Sequence, residues 1–147
     1  MKPGLDYTGI GVGFCCHDGN CRWLLHKRGS AARDEQGTWD FGGGALEFGE
    51  SLEDGARRET REEYGCEVIA VQDALKIFSR VSELNGAMTH WITIAFIAQV
   101  DPRQVQLNDL GAMEEIGWYR FNSLPKPLHS WVARVVQDNA AIFEQYS

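Results

Sequence analysis

Between Gly44 and Cys66 the chain reads GALEFGESLEDGARRETREEYGC. No other stretch limits the fold and the chemistry as much. Ser51 is a good helix N-cap, Glu53 and Asp54 suit the first turn, and Gly65 suits the left-handed residue that ends a helix, so a helix is predicted up to about Tyr64. On that helix Glu59, Glu62 and Glu63 stand at i, i+3 and i+4 and share a face. Carboxylates so placed repel one another unless a positive charge lies between them. A hard divalent cation supplies that charge, because Mg²⁺ takes a few carboxylates plus waters and phosphate oxygens. The plain alternative is a solvated acidic face balanced by Arg57, Arg58 and Arg61. The glycines before the helix favour the metal reading, since bare backbone can approach a ligand closely.

The rest of the chain sets outer bounds. Its 147 residues fit one domain, 1–147. A net charge of −7 argues against binding duplex nucleic acid, but not against a small anion whose charge bound cations offset. Cys15, Cys16, Cys21 and Cys66 lack CxxC spacing and read as reduced thiols of a cytoplasmic protein. The opening MKPGLDYTGIGVG lacks a signal-peptide layout. The longest apolar run, Trp91 to Val100, is too short for a bilayer and suits a buried strand, so no membrane partner is expected.

Along the chain, strands are predicted at Thr8 to Cys16 and Cys21 to His26, joined by the turn HDGN. A polar loop, Lys27 to Thr38, leads to a short strand at Trp39 to Phe41 and then Gly42-Gly43-Gly44. After the central helix come strands near Val68 to Arg80, His90 to Val100 and Ile116 to Phe121. His129 to Gln145 is predicted as one closing helix, with Trp131, Val135 and Ile142 on one face. Mixed strands with a central and a terminal helix imply an α/β (α+β) sandwich with the sheet between helices.

The Gly44–Cys66 segment resembles the Nudix hydrolases, whose box reads GX5EX7REUXEEXGU with U a bulky apolar residue. Gly44, Glu50, Arg58, Glu59, Glu62, Glu63 and Gly65 match at the required spacing. With each residue type used at roughly 5–7%, such a match arises by chance on the order of once in 10⁸ start sites. Thr60 and Cys66 depart from the apolar positions and are small enough for packing to tolerate. Upstream, Trp39-Asp40-Phe41-Gly42-Gly43-Gly44 resembles the family's W-x-F-P-G-G, with Gly42 in place of proline, a change expected to loosen the loop.

The resemblance implies a mixed-sheet Nudix sandwich and a Mg²⁺-dependent hydrolase of diphosphate bonds, with Mn²⁺ as a substitute. It makes Glu59, Glu62, Glu63 and the Gly43 carbonyl metal ligands, and Gly44, Glu50 and Gly65 structural parts of the box. Arg58 either orients Glu59 or clamps phosphate, or else pairs with Glu62 on the helix surface. Glu59, Arg58 and Glu62 are the catalytic candidates, with Glu59 favoured as base and Glu115 or Glu114 as the loop alternative. Arg28 and Glu115 are candidates for the substrate side. Trp131 is read either as stacking on a base or as packing, Trp118 as core, and His90 as an ordinary hydrogen-bonded histidine.

Subclass signatures narrow the substrate by their absence. The first proline after the box is Pro102, too late for the ADP-ribose signature, and the tyrosine that the dinucleoside polyphosphate signature places at a similar distance is missing, since none lies between Tyr64 and Tyr119. The NADH-type and coenzyme A-type strings are missing too. The expected substrate is therefore a small nucleotide, with a nucleoside triphosphate first. ADP-ribose or nucleotide-sugar cleavage, and a non-catalytic nucleotide-binding module, are the rival readings. Assembly as a homodimer is left open.

Overall fold

The computed structural model describes residues 1–147. Its centre is a mixed sheet in the order β3 (Trp39–Asp40), β2 (Trp23–Arg28), β1 (Gly9–His17), β7 (Ala87–Val100), β5 (Val68–Ala74). β4 (Gly43–Ala45) adds to β1, β6 (Phe78–Leu84) to β7, and β8 (Met113–Tyr119) to β2. The β1–β7 pairing is parallel, with Gly9 opposite Trp91 and Cys16 opposite Ala98. The other pairings between strands are antiparallel.

Strand alternation divides β1 between two cores. Phe14 and Cys16 face helix α1 (Leu52–Tyr64) and pack with Tyr64, Cys66, Ala98 and Val100. Cys15 faces the other way and joins Trp23, Ile97, Val132, Val135 and Phe143, beneath α2 (Ser130–Asp138) and α3 (Ala140–Glu144). The sheet thus lies between helices, as expected. All four cysteines are free thiols, and Cys15, Cys16 and Cys66 are buried. No helix is long and apolar enough to cross a membrane.

α1 begins and ends where its caps dictate. The Ser51 hydroxyl accepts from Asp54 N at 3.1 Å, and Gly65 has φ +64° with its N–H on Arg61 O. Thr60 is fully buried and donates to Ala56 O at 2.7 Å, so its hydroxyl is satisfied inside the helix. Two expectations fail. The closing helix is two helices, broken at buried Asn139, whose Nδ2 donates to Val135 O while its Oδ1 accepts from Lys76 N. The side chain thus competes with the helical backbone and ties the break to the loop before β6. The strand expected up to Arg80 is two strands, and β6 continues to Leu84. It turns into β7 at Asn85 and Gly86, both at positive φ, as a tight hairpin requires.

Candidate active site

The glycine turn after β3 is held from both sides. Gly42 N donates to Asp40 Oδ1 at 3.0 Å, and Phe14 N donates to Gly42 O at 3.2 Å. Tyr64, the last residue of α1, donates its hydroxyl to Phe41 O at 2.8 Å and shares a 2.7 Å hydrogen bond with His26 Nδ1. Gly42 has φ +123°, which proline cannot adopt, and its N–H is in use. The loop is therefore pinned rather than loosened by the departure from proline. Side chains would not fit: a Cβ on Gly42 would strike Glu63 Oε2, and one on Gly44 would strike the Glu59 carboxylate.

Arg58 is the hub beside this turn. Its Nε and Nη2 donate to the two Glu50 oxygens at 2.8 and 2.9 Å, and Nη1 donates to Glu59 Oε1 at 2.8 Å. Nη2 also reaches Ala45 O at 3.0 Å, and Glu62 Oε2 is a longer partner at 3.3 Å. Arg58 thus orients Glu59, and Glu50 locks Arg58. The paired guanidinium, with the Glu47 backbone N–H behind it, holds the Glu50 carboxyl down at about 2. Arg57 and Arg61 turn away, to Val68 O and Glu67, so they do not balance the acidic face.

Glu63 is the most telling residue. Its Oε2 is buried and has no hydrogen-bond partner. Burial, then the charges of Asp40 and Glu59, push its carboxyl well above the usual range, against the Gly43 backbone. Burial also raises Glu59, against Arg58. Glu59, Glu63 and the more exposed Glu62 therefore offer oxygen donors whose strain a cation would relieve, one of them an unpaired oxygen against bare backbone. This donor set fits Mg²⁺.

On the other side of the turn lies an open cleft. Gly11, Gly13, Gly43, Gly44 and Ala45 line it with backbone, and Arg28, Asp40, Trp91 and Trp131 with side chains. The glycine turn is the common wall of cleft and carboxylates. Arg28 reaches the cleft already engaged: Nη1 donates to Asp40 Oδ2 at 2.8 Å, Nη2 to Asp34 Oδ1 at 2.7 Å, and Nε to Asp34 O at 2.9 Å. Trp131 also lines it, with Nε1 donating to Asp40 Oδ1 at 2.9 Å. Glu115 stands apart, exposed on β8 opposite Lys27, which pairs with Glu114 at 3.8 Å. Trp118 packs on the α1-side core, and His90 bonds Thr8 and Ser79.

Sequence reasoning missed the residues that hold the cleft together. Asp34 and Glu35, in the polar loop, meet buried His129 at 3.3 and 3.0 Å. Their oxygens and the histidine lie close enough to share an ion. Arg28 and Arg80 already provide the positive charge there, and Ser130 N and Oγ cap Glu35. The cluster is a latch between the loop and the start of α2. Asp40 was missed as well, although it lies in the W-x-F lead-in, because a single carboxylate there carries no pattern.

The NUDIX domain family model matches residues 8–138, so the chain belongs to that family. Relatives and solved structures bear this out. The NAD-capped RNA hydrolase NudC of Erwinia tasmaniensis is 27% identical over 112 residues, which is 75% of this chain; the chain spans 40% of that relative's length. A MutT NUDIX hydrolase from Burkholderia pseudomallei superposes with a TM-score of 0.76 at 25% identity, covering 88% of this chain and 96% of that one. The NUDIX domain of Shewanella oneidensis NrtR, in complex with ADP ribose, shares the fold with a TM-score of 0.71 at 18% identity, covering 97% and 90% of the two chains.

Proposed function

We propose that the protein is a Mg²⁺-dependent hydrolase that cleaves a diphosphate bond in a small nucleotide, with a nucleoside triphosphate as the first candidate substrate. The observation that carries this reading is the orphaned, buried Glu63 oxygen beside Glu59 at the glycine turn. A sensor that only binds nucleotide gains nothing from a carboxylate kept buried and unpaired, whereas a metal-dependent enzyme needs one.

Glu59, Glu62, Glu63 and the Gly43 carbonyl are the residues that would hold the ion. When bound, it supplies charge neutralisation on phosphate and a water of lowered pKa. The protein's own contributions are positional. Arg58, locked by Glu50, presents Glu59 in one orientation, and Glu59 is the base we assign. Glu115, on the far strand, is not needed for it. The smooth glycine floor leads a substrate from the cleft past Gly44 and Ala45 toward the carboxylates. The free, largely buried cysteines fit a reducing compartment such as the cytoplasm.

The test is a product-resolved screen with Mg²⁺. It covers the common and modified nucleoside triphosphates, ADP-ribose, NAD and nucleotide sugars. Release of diphosphate and nucleoside monophosphate from a triphosphate is the expected result, abolished by chelator. Turnover confined to ADP-ribose or nucleotide sugars replaces the substrate. Binding without turnover on every compound overturns the enzyme.

A further inference from the structure

One aromatic surface in the cleft has no role in the reading above. Strand alternation puts Gly9, Gly11 and Gly13 on the same face of β1, and Trp91, Thr93 and Ala95 beside them on β7. A methyl on Gly9 would lie 2.6 Å from indole carbons of Trp91, and one on Gly4 would collide with the same ring. The indole therefore rests on bare backbone from two segments and is fixed in place. Over the ring stands the guanidinium of Arg33, 5.7 Å from its centroid. Asp34, next in the chain, is taken by Arg28, Arg80 and His129, so the indole is the partner left to exposed Arg33.

The pair also sits at a junction. Two adjoining cavities, of about 210 and 310 Å³, share Arg33, Asp34, Arg80 and Trp91 as wall residues. The inner cavity reaches the glycine turn. The geometry points to Trp91 as the platform on which the planar base of the substrate stacks, with Arg33 as its movable cover. This rests on the nucleotide reading above and adds where the base goes.

The chemistry of both walls suits a nucleobase. An indole face attracts a guanidinium through its quadrupole, and both surfaces stack on a heteroaromatic ring. Arg33 is free to shift when a base enters, while Trp91 is not. Between platform and turn the cleft is lined by Gly11 and Thr93, and the sugar would lie there. Trp131 is a poorer platform, since its ring packs on the α2-side core and against Phe41.

The experiment is calorimetric titration of GMP, AMP and ribose 5-phosphate into wild type, Trp91→Leu, Trp91→Phe and Arg33→Ala, each checked for a native melting transition. Trp91→Leu should weaken both nucleotides by about tenfold or more and leave ribose 5-phosphate within about twofold. Trp91→Phe should restore most of the loss. Arg33→Ala, at an exposed position, should weaken nucleotides by a few fold, and it decides the matter with Trp91→Phe if Trp91→Leu does not fold. Equal loss for nucleotide and sugar phosphate, unchanged nucleotide binding in the variants, or no preference of wild type for nucleotides overturns the platform. Diphosphate release from triphosphates by wild type is followed in parallel. Hydrolysis with no dependence on Trp91 removes the platform and leaves the enzyme. Base-dependent binding without hydrolysis keeps the platform and removes the enzyme.

Discussion

Two charged clusters flank the glycine turn, and they are built from the same residue types to opposite ends. Beside α1, Glu47, Glu50, Glu59 and Glu62 surround Arg58 alone, and Glu63 adds a further carboxylate with an unpaired oxygen. Across the cleft, Asp34, Glu35 and Asp40 meet Arg28, Arg80, Ser130 and the ring of His129, so each carboxylate has side-chain partners. The first cluster has one guanidinium among its carboxylates and leaves a buried carboxylate oxygen without a partner, whereas the second pairs its carboxylates. An underpaired acidic cluster stores unfavourable energy that a cation releases. A paired one holds a loop in place. The difference is read from pairing, since both look alike as lists of acids and bases.

The largest effect should come from breaking the first cluster. Glu63→Gln removes a charge from the proposed metal shell without changing shape. A loss in kcat of about 10²-fold or more is expected, from lost electrostatic stabilisation. The melting temperature should hold or rise, because burial disfavours that charge. A folded Glu63→Gln enzyme with a near-wild-type rate would show that the carboxylate is not used. Metal titration sharpens the same point. At Mg²⁺ about a hundredfold above its dissociation constant, wild type should gain up to about 2.7 kcal/mol in stability. Scanning calorimetry with and without chelator reads this as a shift of several degrees. Glu63→Gln should lose most of the shift, and Asp34→Asn should keep it.

Breaking the second cluster should do the reverse. The His129 hydrogen bond, and then the charge of Arg28, hold Asp34 down at about 2, against its burial. A depressed carboxyl stabilises the fold above its unfolded value near 4, and this is lost as pH falls toward 2. After allowance for partial exposure the contribution is about 1–2 kcal/mol. Asp34→Asn should therefore melt lower at pH 7 and converge on wild type near pH 2. Thermal midpoints at pH 7, 4 and 2.5 measure this, and a constant gap across that range would remove Asp34 from the latch.

The two clusters also differ in how far the sequence disclosed them. Glu59, Glu62 and Glu63 lie within a single helix, where spacing alone sets the geometry, and the caps Ser51 and Gly65 bound that helix. The latch joins Asp34 to His129 across 95 positions, and no local period links them. The same holds for Arg28, whose partners Asp34 and Asp40 appear only once β2, β3 and the polar loop are folded together. Other signals were present and unread. Glycine at 9, 11 and 13 is a period-2 pattern that bares one face of a strand, and Asn85-Gly86 is a hairpin signature. The break at Asn139 was less legible, because the apolar spacing from Trp131 to Ile142 continues through it.

The smallest effect separates the two tryptophans of the cleft. Trp131 belongs to the paired side: its N–H ends on Asp40, which also takes Gly42 N and Arg28. Trp131→Phe keeps a ring on the Phe41 side and removes that hydrogen bond together with the outer indole carbons that reach Gly13. Asp40 retains its two other partners, so it is not left bare, and the hydrogen bond's share of the cost should be about 0.5–1.5 kcal/mol. For a domain of this size that lowers the melting temperature by a few degrees. Because Asp40 positions the glycine turn, a modest fall in kcat should accompany it. KM for a nucleoside triphosphate should change by less than about threefold, since the stacking term belongs to Trp91. A rise in KM as large as that of Trp91→Leu, with an unchanged melting temperature, would move the base onto Trp131 and reverse the assignment of the two walls.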